Sequence, residues 1–167
     1  HMLKKGEKAG IVCCSNPQRR ESEPQIKDLE CILRDMGLEP VFANGIYEAD
    51  ALPFGSGLHE SATAQERAEV LMDFYLDDDI KVIFDISGGD IANGILPYLD
   101  YDKIAGAEKL FWGYSDLTTV INAVYAKTGK PSVLYQVRNM VSVEDGKQQV
   151  MDFRDTVMES GFRQEIS

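Results

Sequence analysis

Short apolar runs alternate with amphipathic segments along most of this 167-residue chain. Apolar runs of about four to eight residues predict buried strands, whereas apolar residues spaced three and four apart predict helices. Runs of the first kind predict strands over 9–14, 40–43, 81–86, 110–113 and 132–135. Helical spacing predicts helices over 22–36, 63–75, 117–128 and 146–160. Strands and helices are therefore expected to alternate along the chain.

This alternation indicates a doubly wound α/β fold. A strand followed by a helix implies a right-handed crossover, and repeated crossovers build a mainly parallel sheet with helices on both faces. The length fits a single domain, to which we assign residues 1–167. Ligands of such sheets bind beyond the carboxyl ends of the strands. Two turns at such ends are therefore predicted to carry the chemistry: Ser87–Asp90 after the third strand and Gly113–Asp116 after the fourth.

Local signals predict where three helices begin. Ser22 with Gln25, and Thr63 with Glu66, have the spacing of a capping box. Asp102 is expected to cap the short helix that follows it.

The net charge limits the partners of the chain. It carries 17 basic and 28 acidic side chains, which gives a formal net charge of −11. A surface this acidic repels phosphate backbones and anionic lipid, so we expect neither a nucleic-acid nor a membrane partner. No apolar run approaches the roughly 20 residues that are needed to cross a bilayer.

Cysteine and histidine usage indicates reduced thiols and no metal. Cys13 and Cys14 are adjacent and, with Cys31, make an odd count, which favours free thiols in the cytoplasm over a disulfide framework. The first two are predicted to be core residues. His59 is predicted to lie on the surface, and the cysteines lack paired ligand spacing. We therefore expect no metal and no cofactor.

Ser115 lies in a Gly-Tyr-Ser-Asp turn between a predicted strand and a predicted helix. A serine at such a turn projects its hydroxyl above the sheet, as in a nucleophile elbow, and the helix start offers N–H groups to an oxyanion. In the alternative interpretation, Ser115 is only the N-cap of the helix and Asp116 complements the helix dipole. The turn alone favours the N-cap, because caps greatly outnumber nucleophiles; Leu117 also replaces the second glycine of the elbow motif.

The glycine pair Gly88–Gly89 follows the third predicted strand. Paired glycines let a backbone N–H approach a ligand closely and can supply an oxyanion donor. By itself, the pair is more typical of a plain tight turn.

Several segments resemble the LD-carboxypeptidase family of serine peptidases, in the same order along the chain. The resemblance covers residues 3–130 and is most specific at Phe111–Asp116 and Ala123–Gly129. The other similar segments are Leu3–Val12, Glu66–Ala68, the strand that ends at Gly88–Gly89, and Leu96–Asp102. This resemblance implies a flavodoxin-like or class I glutamine amidotransferase-like sheet, the hydrolase class of enzyme and a small peptide substrate.

The resemblance also implies the roles of individual residues. In that family, the serine of the Gly-Tyr-Ser-Asp turn, here Ser115, is the nucleophile. Two backbone N–H groups stabilise the oxyanion, and they correspond to those of Asp116 and Gly89. Three flanking residues are expected to contact the substrate: Gly88, Asp90 and Tyr114. The family cleaves amide bonds, such as the L–D bond of murein tetrapeptides, in the cytoplasm and without a metal.

Two departures from the family pattern change the expected substrate and the expected extent of the enzyme. Carboxypeptidase members usually carry an arginine before the glycine pair and a tyrosine after it, where this chain has Ser87 and Asp90. That pattern is closer to the microcin C immunity peptidases, a branch that cleaves aminoacyl-adenylate mimics. Family members are also much longer, with the catalytic glutamate and histidine in a second, C-terminal domain.

We therefore expect this chain to be the nucleophile-bearing N-terminal half of a two-domain peptidase, inactive in isolation. The substrate of the whole enzyme is then a murein peptide or a peptide-nucleotide. A non-catalytic binding module on the same fold is the alternative from another functional class, because a fold does not guarantee an activity.

The last predicted helix carries an apolar stripe that consists of Val150, Phe153, Val157 and Met158. This stripe must pack against the sheet or against another chain. Because members of the family also tend to pair, we expect a homodimer with two-fold symmetry.

Overall fold

The computed structural model describes residues 3–47, 63–141 and 146–158, with Ser115 described by its backbone only. Within these residues, the strands are Lys8–Val12 (β1), Glu39–Phe42 (β2), Ile80–Asp85 (β3), Leu110–Gly113 (β4) and Val133–Leu134 (β5). The α-helices are Glu23–Asp35 (α1), Ala64–Leu76 (α2), Tyr101–Gly106 (α3), Thr118–Thr128 (α4) and Gly146–Val157 (α5). Short 3-10 turns cover Arg20–Ser22, Ala92–Tyr98, Ser115–Leu117 and Val137–Val141. The predicted loop that contains His59 lies outside the described residues.

The five strands form one sheet in the order β2-β1-β3-β4-β5, and all neighbouring pairs are parallel. This order has its switch point between β1 and β3, which start crossovers in opposite directions along the sheet. The doubly wound α/β fold predicted from the sequence is therefore confirmed. No helix in the described part is long and apolar enough to cross a membrane.

Alternate side chains of the central strands pack into two separate hydrophobic cores, because successive side chains of a strand point to opposite faces of the sheet. Val82 and Phe84 of β3 lie in one buried cluster, together with residues of α1 and α5. Ile83 lies in the other cluster, together with residues of α2, α3 and α4. Helices thus cover both faces of the sheet, as the near-continuous apolar run of β3 indicates.

The apolar stripe of α5 packs on the sheet of its own chain. The ring of Phe153 makes edge contacts with Trp112 and Phe84, at centroid distances of 5.3 and 5.4 Å. Val157 and Met158 are buried beside it. Of the two ways to cover this stripe, the structure therefore shows packing against the sheet.

The structure confirms one capping box and corrects the cap of α3. Thr63 Oγ1 accepts the N–H of Glu66 at 3.1 Å, and Glu66 Oε1 accepts the N–H of Thr63 at 3.2 Å. The prediction that Asp102 caps α3 is wrong. Asp100 is the N-cap, and its side chain accepts the backbone N–H of Lys103 at 3.2 Å.

The second predicted capping box, of Ser22 with Gln25, is also wrong. A 3-10 turn precedes α1, so Ser22 already has helical dihedral angles (φ −82°, ψ −5°) instead of the extended backbone of a cap. Its side chain makes no capping hydrogen bond. Gln25 instead accepts a hydrogen bond from Arg138 at 3.0 Å, which links α1 to the turn before α5.

Lys109, just before β4, donates hydrogen bonds to carbonyl groups at the C-terminal end of α2. It is only 8 % exposed, and its ammonium donates to the carbonyl oxygens of Phe74 at 2.8 Å and Asp77 at 2.6 Å. Burial lowers the pKa of Lys109, while the carboxylates of Asp77 and Asp78 oppose that effect. The Phe74 carbonyl lies in the last turn of α2 and has no partner within the helix, while the Asp77 carbonyl also accepts the N–H of Ile80 at 3.0 Å.

We predict that Lys109→Met lowers the free energy of unfolding by about 1–3 kcal/mol, because it removes charge-assisted hydrogen bonds from a buried site. Urea denaturation of this chain measures the change. The matched control is Lys81→Met, which removes an exposed ammonium that donates to the Asp78 carbonyl at 2.8 Å. The control should change stability by no more than about 0.5 kcal/mol. Equal losses in the two variants would contradict the role of Lys109.

Candidate active site

A fully buried carboxylate lies where β3 ends. Asp85 Oδ1 accepts the backbone N–H and the hydroxyl of Ser87, at 2.8 and 2.5 Å. Asp85 Oδ2 accepts the N–H of Cys14 at 2.8 Å. Burial raises the pKa of the Asp85 carboxyl, and the hydrogen bonds from Ser87 and Cys14 oppose that increase. This carboxylate therefore joins the ends of β1 and β3.

The glycine pair after β3 turns tightly against the residues that follow β1. The Asn16 N–H donates to the Gly88 carbonyl at 3.1 Å. Gly89 has a φ of +117°, and a Cβ at this position would lie 2.5 Å from Nδ2 of Asn16. A Cβ on Gly88 would meet no atom within 4 Å. Glycine is thus required at 89 and not at 88, for reasons of backbone angle and space.

The N–H of Gly89 has no hydrogen-bond acceptor among the described residues. Gly89 and Asp90 are both exposed. The turn is therefore tight, as the simpler interpretation held, and it also leaves a backbone donor available at the carboxyl edge of the sheet.

The Gly-Tyr-Ser-Asp turn makes a sharp connection between β4 and α4. Ser115 is the first residue of the 3-10 turn that separates them, and the N-cap of α4 is Leu117, without a side-chain hydrogen bond. The interpretation of Ser115 as the N-cap of this helix is therefore wrong. A Cβ on Gly113 would lie 2.9 Å from Leu117 Cβ, so this turn is also closely packed.

The Asp116 carboxylate connects the turn after β4 to the other two strand ends. Its Oδ2 accepts the hydroxyl of Ser15 at 2.6 Å and the backbone N–H of Ala92 at 2.7 Å. Ser15 lies just beyond β1, and Ala92 follows the glycine turn of β3. The two turns that the sequence singled out are therefore adjacent and held together by a side chain.

Ser15 completes a hydrogen-bonded path across the edge of the sheet. Its N–H donates to Ser87 Oγ at 3.0 Å, and its own hydroxyl oxygen accepts the Ile91 N–H at 3.3 Å. The path runs from Asp85 through Ser87 and Ser15 to Asp116. We call these four residues the edge network.

Arg67 of α2 forms hydrogen bonds with the segments that follow β1 and β3. Its guanidinium donates to the carbonyl oxygens of Cys14 at 3.0 Å and Ile91 at 3.1 Å. These contacts hold the segment after β1, which contains Ser15, and the segment after β3, whose Ile91 N–H donates to the Ser15 hydroxyl. Sequence reasoning assigned no site role to Arg67, Asp85 or Ser15, although the single acidic residue in the apolar run of β3 was a visible signal.

The remaining predicted residues fall at the surface or in the core. Tyr114 is 56 % exposed beside Ser115. Cys14 is buried and Cys13 partly buried, and burial raises the pKa of both thiols well above the ordinary value, so they stay protonated. The core role predicted for Cys14 is thus confirmed. Within 3–47, 63–141 and 146–158, no group of three or more His, Cys, Asp and Glu side chains could hold a metal ion.

A family model places most of this chain among known proteins. The model, described as the LD-carboxypeptidase N-terminal domain, matches residues 9–135. The match includes the glycine pair and the Gly-Tyr-Ser-Asp turn. It agrees with the resemblance found in the sequence motifs.

Individual relatives fall into two groups. The microcin C7 self-immunity protein MccF of Escherichia coli is 42 % identical over 71 residues, which are 42 % of this chain and 21 % of that protein. A Bacillus subtilis protein, provisionally named a murein peptide carboxypeptidase, is 26 % identical over 128 residues, 76 % of this chain and 37 % of its own. The name of this relative supports hydrolase activity at the level of the family.

A solved structure of MccF in complex with aspartyl sulfamoyl adenosine has the same fold. It superimposes with a TM-score of 0.77 at 25 % identity, over 95 % of this chain and 46 % of that one. The chain thus spans less than half the length of these relatives. The match over residues 9–135 establishes that the chain belongs to the LD-carboxypeptidase family, in the region of its N-terminal domain.

Proposed function

We propose that this chain supplies the nucleophile and the oxyanion donors of a serine-type amide hydrolase. The observation that carries the proposal is the Asp116–Ala92 hydrogen bond of 2.7 Å, because it holds the Ser115 turn beside the Gly89 turn. An oxyanion hole needs two donors at one carbonyl position, and these turns offer the N–H groups of Gly89 and Asp116. We propose that the general base comes from a second domain outside these 167 residues, as the family resemblance implies.

The reaction follows from these roles. The Ser115 hydroxyl attacks the acyl carbon and gives its proton to the base, while the carbonyl π electrons move onto oxygen. The resulting oxyanion accepts hydrogen bonds from the two N–H groups. Collapse breaks the C–N bond, the amine leaves with the proton, and water then hydrolyses the acyl-serine by the same steps. Each oxyanion donor contributes about 10²–10³-fold to the rate in enzymes of this kind.

Ser87 favours an aminoacyl-nucleotide substrate over a murein peptide. The carboxypeptidases usually carry an arginine at this place, and a guanidinium can pair with a substrate carboxylate. Here Ser87 is only 1 % exposed, and its hydroxyl is engaged by Asp85 and Ser15. The complex of MccF with aspartyl sulfamoyl adenosine supports the same class of substrate.

We propose that the enzyme acts in the cytoplasm.

We predict that a protein joining this chain to the family's second domain hydrolyses aspartyl sulfamoyl adenosine faster than an L–D tetrapeptide. Ser115→Ala should abolish hydrolysis and labelling by a fluorophosphonate, because both need the hydroxyl. Chromatography of the released amine and gel detection of the label measure these outcomes. This chain alone should show no turnover, because the proposed base lies in the second domain.

Two results would contradict this proposal. Absence of both labelling and turnover in the joined, folded protein would leave a non-catalytic binding module. Turnover by the isolated chain that disappears in His59→Ala would show that the base lies within these 167 residues.

The glycine turn gives a prediction that needs no substrate. Gly89→Ala should lower the free energy of unfolding by about 1–3 kcal/mol, because alanine is strained at a positive φ. Its Cβ would also displace Asn16. Gly88→Ala is the matched control and should stay within about 0.5 kcal/mol of the original chain. Guanidinium denaturation of both variants decides this, and an unaffected Gly89→Ala would show that the turn does not require glycine.

We also propose a homodimer. Leu134 of the edge strand β5 and Met151 of α5 are 55 % and 49 % exposed, and both are apolar. Sedimentation equilibrium at micromolar concentration should give twice the chain mass of 18.6 kDa, and Leu134→Lys should shift it toward the monomer. A mass near 18.6 kDa for the original chain at every concentration would refute the dimer.

A further inference from the structure

The Asp116 side chain has no part in the chemistry proposed above, which uses only its backbone N–H. Yet Asp116 Oδ2 accepts two short hydrogen bonds, from Ser15 Oγ at 2.6 Å and from Ala92 N at 2.7 Å. An ionised carboxylate only accepts hydrogen bonds, so it suits a point where two donors converge. Those donors come from the segments after β1 and β3.

The oxyanion site needs a link of this kind because its two donors belong to different turns. Ladder pairing of β3 with β4 ends at Phe84 and Trp112, before either turn begins. Beyond that pair, the sheet does not fix the distance between the N–H groups of Gly89 and Asp116. The Asp116–Ala92 hydrogen bond spans this gap, three residues after Gly89.

Other members of the edge network hold Ser15 in place for this contact. Its N–H donates to Ser87 Oγ at 3.0 Å, and Ser87 in turn donates to the buried Asp85 at 2.5 Å. Arg67 donates to the carbonyl of Cys14, which precedes Ser15, and to that of Ile91, whose N–H donates to the Ser15 hydroxyl. Ser15, which donates its hydroxyl to Asp116, is therefore linked through Ser87 to the fully buried Asp85.

We infer that the carboxylate of Asp116 is a positioning group that sets the spacing of the two oxyanion donors. This inference rests on the proposed function of Ser115. The carboxylate acts through Ala92 and Ser15 on the backbone, and it contacts no reacting atom. Misplacement of a catalytic group by about 1 Å can cost 10²-fold in rate, so a modest loosening of this link has a large effect.

The test uses the joined two-domain protein with aspartyl sulfamoyl adenosine as substrate. Asp116→Ala keeps the backbone N–H and should lower kcat by about 100-fold, with KM within about twofold. Asp116→Asn should recover kcat to within about tenfold of the original, because its amide oxygen can accept both hydrogen bonds. Ser15→Ala should lower kcat by about tenfold, and the double variant with Asp116→Ala should be no slower than Asp116→Ala alone.

Two further measurements separate positioning from general loss of structure. The amide proton of Ala92 should shift upfield in the NMR spectrum of Asp116→Ala, because its charged acceptor is gone. Asp77→Ala is the control, since that carboxylate accepts a turn N–H from Asp79 at 2.9 Å at the opposite edge of the sheet. It should leave kcat unchanged.

Each outcome decides the inference. If the original protein is active and Asp116→Ala keeps kcat within threefold, the inference is wrong and the proposed function stands. The same holds if Asp77→Ala loses as much activity as Asp116→Ala. If Asp116→Ala does not fold, a Ser15→Ala variant with unchanged kcat overturns the inference. An inactive, unlabelled original protein refutes the proposed function, and the inference falls with it.

Discussion

The carboxyl edge of the sheet depends on the hydrogen bonds of one buried carboxylate. Asp85 is fully buried at the end of β3, where a carboxylate without donors would cost several kcal/mol. The N–H groups of Cys14 and Ser87, together with the Ser87 hydroxyl, meet that need. Where strands end, their last N–H groups lose the ladder partners that buried backbone requires. The Asp85 carboxylate thus accepts N–H groups at the ends of both β1 and β3, and these N–H groups in turn stabilise the buried carboxylate.

The same arrangement extends to β4 through Ser15 and Asp116. These contacts join the ends of three strands that are distant in sequence: Ser15 and Asp116 are separated by 101 positions. Beneath them, the rings of Phe84, Trp112 and Phe153 form a packed aromatic core. The proposed oxyanion site would therefore be held in place before substrate binds, and preorganised donors stabilise an oxyanion without reorganising during the reaction.

The fold was predictable because its signals are local. The apolar run of β3 and the helical spacing of α2 each reveal an element, and their alternation determines the doubly wound class. Predictions failed where a neighbouring segment changed the backbone. Ser22 does not cap α1 because a 3-10 turn places it in a helical conformation, and Ser115 is not the N-cap of α4 for a related reason. The edge network could not be predicted, because periodicity does not show which distant polar side chains meet.

In the proposed function, the turns of Gly89 and Asp116 form one oxyanion site around the Ser115 nucleophile. The most direct measurement is a crystal structure of the joined two-domain protein after reaction with a fluorophosphonate. We expect a phosphonylated Ser115 whose phosphoryl oxygen lies about 2.7–3.1 Å from the nitrogens of both Gly89 and Asp116. A phosphoryl oxygen that points into solvent, or a label on a residue other than Ser115, would show that these turns do not form an oxyanion site around Ser115.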